Sequence, residues 1–120
     1  MHPHSPLFEL EEEGNVTLVR LLSDDLRQPF QAVELGEQLT KVIEAGRSRL
    51  LIDFQRLHYM GSTGFAILLV LARKARAAGG ELRLLGMQEE VRFGANILGI
   101  GSIVELYDDE EEAIAAFGAP

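Results

Sequence analysis

The chain has 120 residues, 47% hydrophobic and 25% charged, so it is long enough to bury a core as one domain without disulfides or metal. A formal net charge of −8 argues against nucleic acid as the partner, because phosphate contacts need clustered Lys and Arg. The absence of cysteine excludes a disulfide framework, a thiol nucleophile and a cysteine-ligated metal, and fits a reducing cytoplasm.

Residues 1–6 contain two prolines and no periodicity and read as a flexible tail. His2 and His4 within it form too weak a set to count as a metal site. Leu7 to Glu13 and Asn15 to Leu22 are predicted strands around a Gly14-Asn15 turn, forming a hairpin at a sheet edge. Ser23 to Pro29 reads as a polar loop. Phe30 to Ala45 has helical spacing, with Phe30, Val33, Leu35, Leu39, Val42 and Ile43 on one side, and Gly46 ends it.

The central stretch begins with Leu50 to Phe54, a short apolar run that predicts a buried strand. A loop follows, and then Gly61-Ser62-Thr63-Gly64 precedes an apolar run that ends in Arg73, Lys74 and Arg76. This pattern predicts a helix with Ser62 as its N-cap and cations at its far end. A hydroxyl there either caps the helix or receives a phosphate; spacing alone leaves both open. The helix carries one stripe of Phe65, Leu68, Leu69 and Ala72 and a second of Ala66, Ile67 and Val70. The second stripe either packs on a neighbouring helix or forms part of a partner surface.

Gly79-Gly80 supplies the helix stop, and Glu81 to Leu85 the next strand. Gln88 to Leu98 reads as a helix weakened by Gly94, Ile103 to Leu106 as a last strand, and Asp108 as the cap of a final helix through Phe117. The acidic run from Asp108 to Glu112 suits a solvated helix start. Residues 118–120 form a short C-terminal tail. The order of elements calls for one α/β domain spanning residues 7–117, with a mostly parallel four- to five-stranded sheet, an N-terminal hairpin and about four helices.

No catalytic set emerges. A hydrolase elbow reads G-x-S-x-G, but Met60 stands two residues before Ser62 and no histidine follows it. His58 lies in the connecting loop and reads as structural. Neither Lys41 nor Lys74 occupies a phosphate-loop context. The longest apolar run, Phe65 to Ala72, is too short to cross a bilayer, and the N-terminus lacks a basic segment followed by an apolar one. The chain is therefore expected to be a cytoplasmic non-enzyme.

Strand, loop, Met60-Gly61-Ser62-Thr63-Gly64, apolar helix, Gly79-Gly80 and a further strand together resemble the STAS domain family, of the anti-sigma-factor antagonist type. The likeness runs from about Leu7 to Phe117 and is most specific between Leu50 and Leu85. In that family the loop typically reads Asp-Ser-Ser-Gly or Asp-Ser-Thr-Gly, and a partner kinase phosphorylates the serine after the aspartate. The resemblance implies Ser62 as the phosphoacceptor, with Thr63 as the alternative, and sets Gly61 in the aspartate position. It also implies acidic residues in the loop after the second strand; Asp24 and Asp25 answer to these, as a kinase contact or as a solvated turn.

The resemblance further implies a partner surface of Asp24, Asp25, Gly61, Ser62, Thr63, Gly64, Ile67 and Val70. Its partner would be an anti-sigma factor that is also a serine kinase, with a phosphatase restoring the unmodified form. ATP would belong to the kinase, and the chain would hold no cofactor. The alternative is a STAS scaffold or transporter-accessory subunit that is never phosphorylated, and Gly61 favours it.

Overall fold

Strand β4 (Arg49–Asp53) is the axis of the domain, and its Leu50, Leu51 and Ile52 are wholly buried. A near-continuous apolar run is what a strand covered on both faces requires. The computed structural model describes residues 7–118, so His2, His4 and the last two residues of the C-terminal tail lie outside it. The main sheet has the order β1-β2-β4-β6-β7. Its strands are β1 (Phe8–Glu13), β2 (Val16–Leu21), β4, β6 (Glu81–Leu85) and β7 (Leu106–Tyr107). β1 runs antiparallel to β2 as the expected hairpin, and the remaining pairs are parallel.

Alternation along β4 divides the core between the two faces. Leu50 and Ile52 pack with Leu35, Leu39, Ile43, Phe65, Leu68 and Leu71, which belong to helices α1 (Pro29–Glu44) and α2 (Ser62–Ala77). Helix α3 (Glu89–Ile97) adds Val91 and Ala95 to the same layer. Leu51 packs on the opposite face with Val16, Leu18, Leu85, Ala113 and Phe117, under α4 (Glu110–Ala115). The result is a single α/β domain with four helices and a mostly parallel sheet.

Two close approaches fix the layers. A Cβ at Gly80 would lie 2.0 Å from the Ser48 carbonyl oxygen, so only glycine lets α2 turn directly into β6 beside β4. A Cβ at Gly36 would lie 2.8 Å from Ile67 Cγ2, which lets α1 and α2 pack closely. At the C-terminal end of β4, Asp53 is buried and accepts hydrogen bonds from Arg20 at 2.8 Å and the Gln55 backbone N–H at 2.9 Å. Arg20 also binds Glu11 and Glu110, raising its own pKa through those carboxylates and drawing the Glu11 carboxyl below its usual value. This network ties β1, β2, β4 and α4 together at the point where the loop toward Ser62 leaves the sheet.

Four sequence expectations need correction. In α1 the buried side is Ala32, Leu35, Gly36, Leu39 and Ile43, whereas Phe30 and Val33 are exposed. The last strand is Leu106–Tyr107, because residues 100–102 form a 3₁₀ turn and Val104 is buried beyond it. The cap of α4 is Asp109, whose carboxylate accepts the Glu112 N–H at 3.3 Å, while Asp108 pairs with Arg92. Residues 23–29 are not only a loop. They contain β3 (Asp25–Leu26), which pairs in parallel with β5 (Tyr59–Met60) as a separate two-stranded sheet.

Candidate functional site

That small sheet assembles the candidate site. In register, Asp25 faces Tyr59 and Leu26 faces Met60, so the loop after β2 lies directly beside the residues leading into α2. The Asp24 carbonyl strengthens the junction by accepting the N–H groups of His58 at 2.8 Å and Tyr59 at 3.2 Å. Leu26 is buried, and Asp25 and Arg27 on either side of it face outward.

Arg27 and Asp25 form a charge pair on that outward face. Asp25 Oδ1 accepts the Arg27 backbone N–H at 2.9 Å and Nε at 3.0 Å, and Oδ2 accepts Nη2 at 2.7 Å. These hydrogen bonds hold the Asp25 carboxyl below the usual aspartate value and raise the pKa of Arg27. The guanidinium also lies 4.4 Å from the centre of the half-exposed Tyr59 ring, a cation–π distance. Asp24 is exposed.

Gly61 is the N-cap of α2, with φ −94° and ψ 178°, an extended conformation open to any residue. No side chain caps this helix, which corrects the expectation that Ser62 does so. Ser62 is the first helical residue; a side chain there points away from the N–H groups a cap must reach. Its hydroxyl is exposed and has no hydrogen-bond partner among the described residues. Thr63 is half-buried, and Gly64 is buried against Met60, whose Cγ would lie 2.5 Å from a Cβ at that position.

The second stripe of α2 divides between both readings left open by sequence. Ile67 packs into the notch at Gly36, whereas Val70 remains exposed. Val33, Gly36, Ile67, Val70 and Leu71 line a groove of about 430 Å³ between α1 and α2, which Lys41 and Lys74 flank farther along. Phe30 and Val33, grouped by their spacing with Leu35, Leu39 and Ile43, are instead exposed on α1. The site thus joins Asp24, Asp25, Gly61 and Ser62 at one end, and Ile67 and Val70 continue away from it along α2. Sequence reasoning missed Arg27 and Tyr59. The Asp25-x-Arg27 spacing could have shown the first, since residues two apart share a strand face, but a two-residue strand has no periodicity of its own.

The STAS domain family model matches residues 11–113, and the chain belongs to this family. More narrowly, it falls among the anti-sigma factor antagonists. It is 34% identical over 86 residues to BtrV of Bordetella bronchiseptica, which is assigned as an anti-sigma factor antagonist; the match covers 72% of this chain and 74% of that protein. The structure of the anti-sigma factor antagonist SpoIIAA in its unphosphorylated form is similar with a TM-score of 0.76 and 25% identity, covering 91% of this chain and 94% of the other. SpoIIAA, a cell fate determinant of Bacillus, in its phosphorylated form matches at 25% identity with a TM-score of 0.67, covering 91% and 97%. A Thermotoga maritima protein assigned as an anti-sigma factor antagonist shares the fold at a TM-score of 0.83 and 15% identity, covering 93% of this chain and 95% of the other.

Antagonists of this kind are regulatory proteins and imply an anti-sigma factor as partner. Among the described residues no helix is long and apolar enough to cross a membrane, and no cluster of three or more potential ligands could hold a metal.

Proposed function

We propose that the chain is a cytoplasmic partner-switching protein: unmodified, it binds an anti-sigma factor, and phosphorylation of Ser62 by that partner's kinase activity releases it. The observation that carries this reading is the Ser62 hydroxyl, exposed and unpartnered at the head of α2 and flanked by the outward face of β3 and β5. In the reaction, Ser62 Oγ attacks the γ-phosphorus of ATP held by the partner. ADP leaves, and the hydroxyl proton passes to a base on the kinase. A phosphatase would return the serine by hydrolysis.

The physical basis of the switch is charge. A phosphoserine adds about −1.5 to −2 charges, and here they fall at the head of α2, the helix that carries Ile67 and Val70. Burying that charge in a partner interface is unfavourable even when a cation pairs with it, because the desolvation cost can exceed the attraction. The exposed serine also supports Ser62 over Thr63 as the acceptor, since a kinase must reach the oxygen. Asp24 offers a free surface carboxylate to the partner, whereas Asp25 is engaged by Arg27.

The test is recovery of the anti-sigma factor with tagged wild-type chain, Ser62→Ala and Ser62→Asp from the native host. Wild type and Ser62→Ala should both retain the partner, and Ser62→Asp should lose it. Equal retention by all three would favour the alternative, a constitutive STAS scaffold or transporter-accessory subunit, for which Gly61 in the aspartate position is the supporting observation.

A further inference from the structure

We propose that Arg27 is the internal receptor for a phosphate on Ser62, and that modification draws its guanidinium away from Asp25 and Tyr59. The proposal rests on Ser62 being the modified residue.

Three observations converge on Arg27. First, continuing the β3–β5 register one residue past both strands sets Arg27 beside Gly61, the residue directly before Ser62. A Cβ at Gly61 would lie 3.4 Å from the Arg27 carbonyl oxygen and 3.8 Å from its Cα, so the two backbones are in contact. Second, the Arg27 side chain is 60% exposed, so a swing exchanges only surface interactions, those with the Asp25 carboxylate and the Tyr59 ring. Third, Gly61 projects nothing into the space between them. A carboxylate at that position would compete for the guanidinium and repel the phosphate. The charged or ionisable groups on these two strands and their flanks are Asp24, Asp25, Arg27, His58 and Tyr59, and Arg27 is the permanent cation among them.

The exchange follows from ordinary preferences. A guanidinium binds phosphate in the same two-pronged geometry as carboxylate, and a dianion attracts it more strongly than the single charge of Asp25. The consequence reaches beyond Ser62. Once the guanidinium moves, the Asp25 carboxylate keeps only the Arg27 backbone N–H and the Tyr59 face is uncovered, so the partner meets two altered spots from one modification. It also gives Gly61 a role: its lack of a side chain leaves Arg27 available.

The experiment uses the full chain with phosphoserine installed at position 62 during synthesis, so that no kinase is needed. The second ionisation of the phosphate is followed by ³¹P NMR as pH is varied. In the wild-type background its midpoint should lie below the ordinary value of about 6. Arg27→Gln should raise it by about one pH unit, the scale on which a nearby opposite charge acts. Arg27→Lys should keep most of the lowering, and Asp25→Asn should keep or deepen it. Equal phosphate midpoints in wild type and Arg27→Gln would overturn the proposal. Because the phosphate is installed by synthesis, this outcome is independent of whether the host modifies Ser62, which is decided by peptides isolated from the host.

Discussion

β4 and β5 lie a short loop apart and have opposite environments. β4 is closed on both faces, its charged terminus Asp53 held by Arg20 and a backbone N–H, while β5 pairs with a two-residue strand and exposes Tyr59. The first region spends its chemistry on packing and hydrogen bonds inside the chain. The second leaves Asp24 and Ser62 exposed and the Tyr59 ring half-exposed beneath Arg27. A rigid strand leading into a lightly held one sets Ser62 in a fixed place without burying it.

The contrast can be broken most strongly from the β4 side. Leu51→Ala and Ile52→Ala should each cost about 2–5 kcal/mol in urea unfolding, because these side chains are fully enclosed and the cavity collapses poorly. Gly80→Ala should follow, at about 1–3 kcal/mol or more, since its methyl would meet the Ser48 backbone. Gly64→Ala should cost less, because the group it meets is the flexible Met60 side chain.

The two helix starts sharpen the comparison at smaller scale. Asp109→Ala removes a working cap and should cost about 1 kcal/mol. Ser62→Ala removes a hydroxyl with no partner among the described residues and should change stability by under about 0.5 kcal/mol. A Ser62→Ala loss as large as that of Asp109→Ala would show that the serine is a cap after all.

The smallest effect concerns Asp25. Its carboxyl is held low by hydrogen bonds from Arg27, so the stabilisation is complete above the ordinary aspartate value of about 3.9 and is lost as pH falls through the lowered folded value. Arg27→Gln should move the Asp25 midpoint upward into the ordinary range, read by carboxyl ¹³C shifts. No movement would mean that the pair does not persist in solution.

The order of the main elements was legible because buried strands and amphipathic helices leave long periodic signals. Leu50 to Phe54 and Glu81 to Leu85 are examples, and Gly46 and Gly79 mark the helix ends with positive φ. The site was legible only in part. The placement of Ser62, Ile67 and Val70 on one helix follows from local sequence, but β3 and β5 are two residues each and acquire their identity only by pairing. Phe30 and Val33 were misplaced for a related reason: hydrophobicity marks residues fit for burial, and a surface that receives a partner uses the same residues. Capping failed at one residue's distance at both α2 and α4, where glycine and the second of two aspartates took the position.

The most direct measurement is phosphopeptide mass spectrometry on the protein isolated from its own host during growth and under stress, with the peptide containing Ser62 and Thr63 resolved. A phosphate localised to Ser62 whose occupancy changes between the two conditions is the expected result. A peptide seen repeatedly and always unmodified, or modified only at Thr63, would contradict the assignment of Ser62 as the switch.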